Sequence, residues 1–438
     1  MTDQRHNGRV ARDPLEIDDA EIWEQLEPGA YGLGSAIEDL SPDERALRDR
    51  ARAFAEAELR PWAAHWDEEE VFPARSYEKL REAGLLGLTV PEAYGGGGRP
   101  IVEGCIVVEE LARCCASSAM IAQPFLNGPW RAVYVLGTED QRRRYLPGVA
   151  AGERHFAIGM SEPGAGSSGT DLAATLTPDG DGYRLRGVKC WVTGGAEADT
   201  IIVFCRAPGT AGPKGIGAVL VGRGAEGMAE PEVDPKMGIR GVAEAVLRFD
   251  DTPIAASDVL VVPDPDSKRG AEILVNQFNP ERCGNAAMCT GIAQAALDDS
   301  ITHLRARQQF GRPLVEFQGL QWQLAEMATD VEVSRILTWR AARSTVDGFP
   351  DQTATIMAKY VSSQMVQRVT NQAIQMHGAR GYSRRWPVER YFRDARGLTM
   401  GGGTAEVMRN ILAGIAVGTR FSQRRPATGA LPVDGAAS

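Results

Sequence analysis

The hydrophobic period of this chain switches twice, and that double switch restricts what it can fold into. From Ser41 to about residue 155, apolar residues recur at helical spacing. From Phe156 to about residue 265, short runs rich in β-branched residues, glycine and proline replace them. From about residue 270 the helical period returns, with Ala293, Leu297, Ile301 and Leu304 on one stripe. Ser41, Pro42 and Glu44 form an S-x-x-E capping box, and the helix behind it, with Leu47, Ala51, Phe54 and Ala55 on one face, is expected to stop before Pro61. Further helices are predicted near 77–83, 102–115 and 139–146, strands near 200–206, 217–221 and 245–249, then helices over 318–343 and 352–376. Helices, then strands, then helices, without βαβ alternation, exclude a doubly wound dinucleotide-binding fold. The pattern predicts an α+β, mostly α chain: a helical domain at 41–155, a β domain at 156–265 and a second helical domain at 266–420. Residues 1–40 read as an extension without period and 421–438 as a disordered tail.

Composition narrows the function classes. A chain of 438 residues has room for about three domains at roughly 150 residues each. Its 58 acidic and 48 basic residues give a net charge of −10, which argues against nucleic acid as a partner. The stretch from Cys114 to Trp130 carries no charge, but its serines, glutamine, asparagine and two prolines exclude a membrane span. The first residues lack the apolar run of a secretory leader. Seven cysteines without a C-x-x-C pair suit a reducing compartment, so a cytoplasmic, soluble enzyme is expected.

Single motifs leave their readings open. Gly164-Ala165-Gly166-Ser167-Ser168-Gly169 matches G-x-G-x-x-G, but a strand-like stretch, not a helix, follows it. It is either an anion-holding loop or a plain turn. Asn279-Pro280-Glu281-Arg282 reads as a helix start, with Asn279 as N-cap and Glu281 at the positive end of the dipole, which would weaken Glu281 as a base. Gly401-Gly402-Gly403-Thr404 precedes a helix starting near Glu406, and is either a close approach to a flat ligand or a flexible connector. The five histidines are far apart, and neither H-E-x-x-H nor G-x-S-x-G occurs, so metal ligation and a serine triad have little support.

Taken in order, six stretches resemble the acyl-CoA dehydrogenase family over residues 41 to about 420. Val90-Pro91-Glu92-Ala93-Tyr94-Gly95-Gly96 is similar to V-P-E-x-Y-G-G, and Met160-Ser161-Glu162-Pro163-Gly164-Ala165-Gly166-Ser167 to T-E-P-x-A-G-S. Lys189-Cys190-Trp191-Val192-Thr193-Gly194-Gly195 resembles K-x-W-I-T-N-G, and Lys236-Met237-Gly238-Ile239-Arg240-Gly241 resembles K-x-G-x-R-x. Arg307-Gln308-Gln309-Phe310-Gly311 with Gln318 is similar to R-x-x-F-G…Q. Gln375-Met376-His377-Gly378-Ala379-Arg380-Gly381-Tyr382 is similar to Q-x-x-G-G-x-G-[FY], with Ala379 for the second glycine.

The resemblance implies an N-terminal helical domain, a central β-barrel or sandwich, and a C-terminal four-helix domain that builds a homotetramer or dimer. It implies FAD, with Ile158, Met160 and Ser161 lining the flavin ring, Trp191 covering one face (its plain alternative being a core tryptophan), and Thr193 bonding the ring. Arg307, Phe310, Gln318, Gln375, Gly378 and Ala379 would hold the rest of the cofactor, largely from a neighbouring subunit, with Thr404 and Glu406 completing the site. Ser167, Asn279, Arg282, Gly402 and Gly403 would lie near the acyl-CoA. Many members carry the catalytic glutamate directly before the last G-T, where this chain has Gly402. Isovaleryl-type and long-chain-type members place it instead in an x-E-R sequence at a helix start, where this chain has Glu281, so the resemblance favours Glu281 as the base. The implied reaction is α-proton removal by Glu281, β-hydride transfer to flavin N5, release of a trans-2-enoyl thioester, and passage of electrons to an electron-transfer flavoprotein. An acyl-carrier-protein thioester as substrate, or a flavoprotein with a binding role alone, are the alternatives.

Overall fold

The computed structural model describes residues 40–346, 348–419, 421 and 423. The extension and most of the tail expected from the sequence lie outside these residues. The chain enters through helix α1 (Pro42–Phe54), whose capping box is present: the Ser41 hydroxyl accepts from Glu44 N–H at 3.1 Å and the Glu44 carboxylate accepts from Ser41 N–H at 2.7 Å. The α-helix ends before Pro61 as expected, but the chain does not leave helical conformation there. A π-turn (Ala55–Leu59) and a 3₁₀ turn (Arg60–Trp62) carry the chain into α2 (Ala63–Glu68), with Pro61 early in the new turn, where its missing N–H costs no hydrogen bond.

Helices α3 (Ala74–Glu82), α4 (Ile101–Ala112), α5 (Ala116–Leu126), α6 (Trp130–Leu136) and α7 (Glu139–Ala150) complete the first helical layer. The sequence pattern misses α5 and α6. Nearly every residue of α5 is buried, so it has no polar face to set a period.

The middle of the chain forms an eight-stranded mixed sheet: β1 (Phe156–Gly159), β2 (Thr175–Asp179), β3 (Gly182–Thr193), β4 (Thr200–Arg206), β5 (Ile216–Gly222), β6 (Glu232–Val233), β7 (Glu244–Ile254) and β8 (Val259–Val261). Its order is β6-β7-β3-β2-β4-β5-β8, with β1 parallel to β4. All of β4 is buried because alternate residues face two cores. Ile202 and Phe204 join the main core shared with the helices, while Ile201, Val203 and Cys205 join a second core with Val219, Leu247 and Phe249.

After α8 (Arg269–Asn276) comes the central helix α9 (Asn279–Ala306), then α10 (Gln318–Arg343), α11 (Gln352–His377), α12 (Val388–Gly397) and α13 (Ala405–Val417). Helix α9 is enclosed by α4, α10 and α11, and small residues make the fit possible. A Cβ on Gly291 would stand 2.1 Å from the Glu109 carbonyl oxygen of α4, and one on Gly284 would stand 2.0 Å from the Gln123 amide of α5. The buried Arg335–Glu109 pair, at 2.8 Å, ties α10 to α4 beside this contact.

The sheet is fixed to the helices at one joint. Gly238 lies against α12 with no room for a Cβ, which would fall 2.2 Å from the Arg393 carbonyl oxygen. Ile239 N–H donates to the buried Asp394 carboxylate at 2.6 Å, and Arg393 donates to Met237 O at 3.1 Å while pairing with Asp67 of α2. Asp67, the 236–241 turn and α12 thus meet in one cluster drawn from all three parts of the chain.

Gly291→Val forces α9 away from the α4 backbone. The expected result is a loss of about 1–3 kcal/mol, read as a lower thermal midpoint, with the Gly291→Ala variant falling between it and the wild type.

Candidate active site

Helix α9 begins differently from the sequence expectation. The backbone stays helical through Gln277 and Phe278, so Phe278 takes the cap position without a side-chain hydrogen bond, and Asn279 is not the N-cap. Asn279 is buried instead: its amide donates to Pro350 O at 3.2 Å and its oxygen accepts from Arg282 at 2.9 Å. Arg282 Nε then donates to Gly402 O at 3.0 Å, so the first turn of α9 grips the glycine run.

Gly402 (φ +70°) and Gly403 (φ +100°) adopt conformations that favour glycine. A Cβ on Gly402 would lie 2.9 Å from the Asn285 amide and 3.7 Å from Arg282 Cγ. Positions 402 and 281 therefore converge on the same two turns of α9. Lys359 of α11, which the sequence reading missed, holds the run from the other side by donating to Gly403 O at 2.7 Å and Leu398 O at 3.1 Å. Its only signal in the sequence is a lysine set within an apolar helical stretch. Thr404 caps α13, its hydroxyl accepting from Val407 N–H at 3.2 Å, and Glu406 is exposed on the first turn.

Glu281 lies between these elements. Its carbonyl oxygen accepts from the Gln123 amide of α5 at 3.2 Å, and its carboxyl makes no hydrogen bond among the described residues. Burial pushes its pKa up to about 8, against the opposing pull of the Arg282 charge. Desolvation thus outweighs the helix-start effect that would make it a weak base.

The sheet supplies the second group. Ile158 lies in β1, one residue before its end at Gly159, and Met160 and Ser161 follow the strand; Ser161 O accepts from Cys190 N–H at 2.9 Å, placing that segment alongside Trp191. Trp191 sits in a bulge of β3 at φ +55° and is 62% exposed, so the core alternative does not hold. A pair of buried charges anchors this segment. Lys189 donates to the Glu162 carboxylate at 2.6 Å and to Met160 O at 3.1 Å, and Glu162 also accepts from the N–H groups of Ala173 and Ala174. Burial lowers the Lys189 pKa, opposed by the Glu162 charge. Both residues lie inside recognised motifs, yet their pairing across 27 positions shows only in three dimensions. The Thr193 hydroxyl donates to Glu244 at 3.0 Å. Ser167 is exposed in the 164–169 loop, which no helix follows. An exposed flat indole on a strained backbone, flanked by a thioether and hydroxyls, fits the ring of a flavin.

A third group lies at the other end of the helical layer. Arg307 closes α9, Phe310 (φ +51°, 94% exposed) tips the hairpin of β9 (Gln308–Gln309) and β10 (Arg312–Pro313), and Gln318 opens α10. Gln375, Gly378 and Ala379 are exposed where α11 ends. The stacked rings of His303 and His377, 4.4 Å apart, bring those helix ends together. Burial, with His377 and the nearby arginines, pushes the His303 pKa down to about 4. Arg307 is about 39 Å from Glu281 along α9 at 1.5 Å per residue, so this group does not reach the first within one chain. Among the described residues there is no metal-holding cluster and no helix long and apolar enough to cross a membrane.

Comparison with known proteins agrees with this layout. Three family models match in succession: the acyl-CoA dehydrogenase N-terminal domain at residues 41–153, the middle domain at 157–252 and the C-terminal domain at 268–416. The chain belongs to the acyl-CoA dehydrogenase family. Among its relatives, a 3-sulfinopropanoyl-CoA desulfinase of Paraburkholderia xenovorans (strain LB400) is 40% identical over 89% of this chain and 100% of that protein. The mitochondrial short-chain specific acyl-CoA dehydrogenase of Bos taurus is 36% identical over 86% of this chain and 90% of its own length. The structure of butyryl-CoA dehydrogenase from Megasphaera elsdenii superposes with a TM-score of 0.82 at 31% identity, covering 86% of this chain and 99% of that one.

The raised pKa of Glu281 has a consequence for stability. Between the ordinary glutamate range and about 8, the folded chain holds a proton that the unfolded chain has released, so this group lowers stability as pH rises through that window. Glu281→Gln removes the penalty. Its thermal midpoint is expected to exceed that of the wild type at about pH 9 and to match it at about pH 4, measured in parallel melts.

Proposed function

We propose that this chain catalyses FAD-dependent α,β-dehydrogenation of an acyl-CoA thioester, with Glu281 as the base that removes the α-proton. The observation that carries this reading is Glu281 itself, a carboxyl with a raised pKa, next to a glycine run that Arg282 and Lys359 hold from opposite sides. A carboxyl whose pKa lies near neutrality is matched to proton abstraction next to a thioester carbonyl, since its ionised form is a stronger base than an ordinary carboxylate and is still reached close to neutral pH. Negative charge then develops on the carbonyl oxygen, and the main-chain N–H groups of Gly402 and Gly403 would stabilise it. The Gly401 N–H already donates to Gly397 O at 3.0 Å, whereas Arg282 and Lys359 grip the run through its carbonyl oxygens and so do not compete for the N–H groups of Gly402 and Gly403.

Bound FAD supplies the acceptor for the hydride leaving the β-carbon. Trp191, Met160 and Ser161 would hold its ring, Ile158 and Thr193 supporting them, while Thr404 and Glu406 flank the same entrance and Ser167 and Gly403 face the CoA thioester. Arg307, Phe310, Gln318, Gln375, Gly378 and Ala379 would serve the cofactor of a second copy, in a homotetramer or dimer. Their distance from Glu281 supports this, as do the exposed Trp322, Val333 and Ile336 of α10. The reduced cofactor would be reoxidised by an electron-transfer flavoprotein, as the family resemblance implies, in a cytoplasmic setting.

A second reading, replacement of a sulfino group at C3 of a CoA ester by hydrogen, with water supplying the proton for C3 and the oxygen that turns the departing group into sulfite, is favoured by the 40% identity to the desulfinase. It predicts sulfite release without net flavin reduction.

Anaerobic mixing of the holoenzyme with a panel of CoA esters tests the proposal. Dehydrogenation predicts bleaching of the flavin band, slowed at least about 100-fold in Glu281→Gln with FAD retained. Unchanged bleaching in that variant would remove Glu281 from the mechanism. Sulfite release from 3-sulfinopropanoyl-CoA with no bleaching by any ester would favour the second reading.

A further inference from the structure

Most of the deeply buried arginines of this protein have partners. Arg335 pairs with Glu109 and Glu332, and Arg206 donates to three main-chain carbonyl oxygens. Arg113 pairs with Glu110 and Asp298. Arg131 differs. It is 7% exposed on α6, its guanidinium lies over the Trp130 ring at 4.7 Å, and its Nε and Nη2 have no hydrogen-bond partner among the described residues. Among the described residues, the groups in electrostatic reach are the Tyr134 phenol and the Cys105 thiol, and no carboxylate is among them. Burial pushes its pKa down to about 10, where it remains a cation at neutral pH. An uncompensated buried cation is costly, and an apolar side chain would stabilise the fold better.

Its surroundings connect it to the proposed site. The Cys105 thiol of α4 accepts from the Asn127 amide at 3.5 Å and is in electrostatic reach of both Arg131 and Cys283. Cys283 lies two residues beyond Glu281 on α9. Along the same path, the side-chain oxygens of Gln123 and Asn127 are buried without hydrogen-bond partners. Gln123 is the residue whose amide holds Glu281 O. Unsatisfied polar atoms therefore run from the base, past the end of α5, to an unpaired guanidinium. A purely apolar acyl chain would leave all of them unpaired.

We propose that Arg131 receives an anionic group at the far end of the acyl chain, so that the preferred thioester carries an ω-carboxylate or an equivalent anion. The inference rests on Glu281 marking the thioester end of the site. A planar fork of N–H donors suits a carboxylate better than a point charge would.

The test titrates the holoenzyme with two CoA esters of equal chain length, glutaryl-CoA and pentanoyl-CoA, following both binding by calorimetry and flavin bleaching. The wild type is expected to bind glutaryl-CoA at least about 30-fold more tightly. Arg131→Met should abolish that preference and Arg131→Lys should keep part of it. Glutaryl-CoA should also raise the thermal midpoint of the wild type more than that of Arg131→Met. A wild type that prefers pentanoyl-CoA, or a preference unaltered in both variants, would overturn the assignment while leaving dehydrogenation standing. A preference for glutaryl-CoA that follows Arg131, with no bleaching by either ester, would keep the assignment and overturn dehydrogenation. No binding of either ester would overturn both.

Discussion

The grip of Arg282 on the Gly402 carbonyl joins the start of the central helix to the glycine run, and the site depends on that contact staying in place. Asn279 orients the guanidinium from behind and Lys359 fixes the far side of the run, so two cations hold a loop whose backbone conformation favours glycine. This arrangement is set deep in the molecule because α9 is packed on small residues against α4 and α5. The same close packing strips water from Glu281. Burial of the first turn therefore places the carboxyl and raises its pKa, two effects that a solvent-exposed helix start would lack.

The sheet contributes on different terms. It is joined to the helices through Gly238, Ile239, Arg393, Asp394 and Asp67, where a main-chain N–H, a buried carboxylate and an arginine pair from three parts of the chain meet. Burial pushes the Asp394 pKa up to about 6, so this joint is a polar contact held within apolar surroundings. From it the sheet extends to Trp191, which the Lys189–Glu162 pair keeps beside Met160 and Ser161. A buried ion pair of this kind adds little net stability. Its evident effect here is positional, since Glu162 also ties down the N–H groups of Ala173 and Ala174 behind the 164–169 loop.

Much of this was legible in the sequence, and the rest was not for identifiable reasons. The capping box at Ser41 and the limits of β4 and α10 could be read directly, because local hydrogen bonding and period set them. Helices α5 and α6 escaped because a segment buried nearly all round shows no alternation. The α-helix does end before Pro61, but the π and 3₁₀ turns that continue it were not foreseen, and the cap predicted at Asn279 failed because the backbone is already helical at Phe278. Glu281 was visible only through the family resemblance and the glycine at 402, since local reasoning alone favoured a helix-start role. Lys359, Arg131 and the partnership of Lys189 with Glu162 depend on contacts between distant segments, which no short pattern encodes.

The central claim is that one carboxyl, Glu281, takes the α-proton. The most direct measurement isolates that step from the redox step. A CoA ester with sulfur in place of the β-carbon has an α-proton to exchange but no β-hydride to lose. Incubated in D₂O with the holoenzyme and followed by mass spectrometry, it should gain deuterium at the α-carbon with the wild type and show none above background with Glu281→Gln. Exchange of equal rate in both proteins would contradict the account and place the base elsewhere.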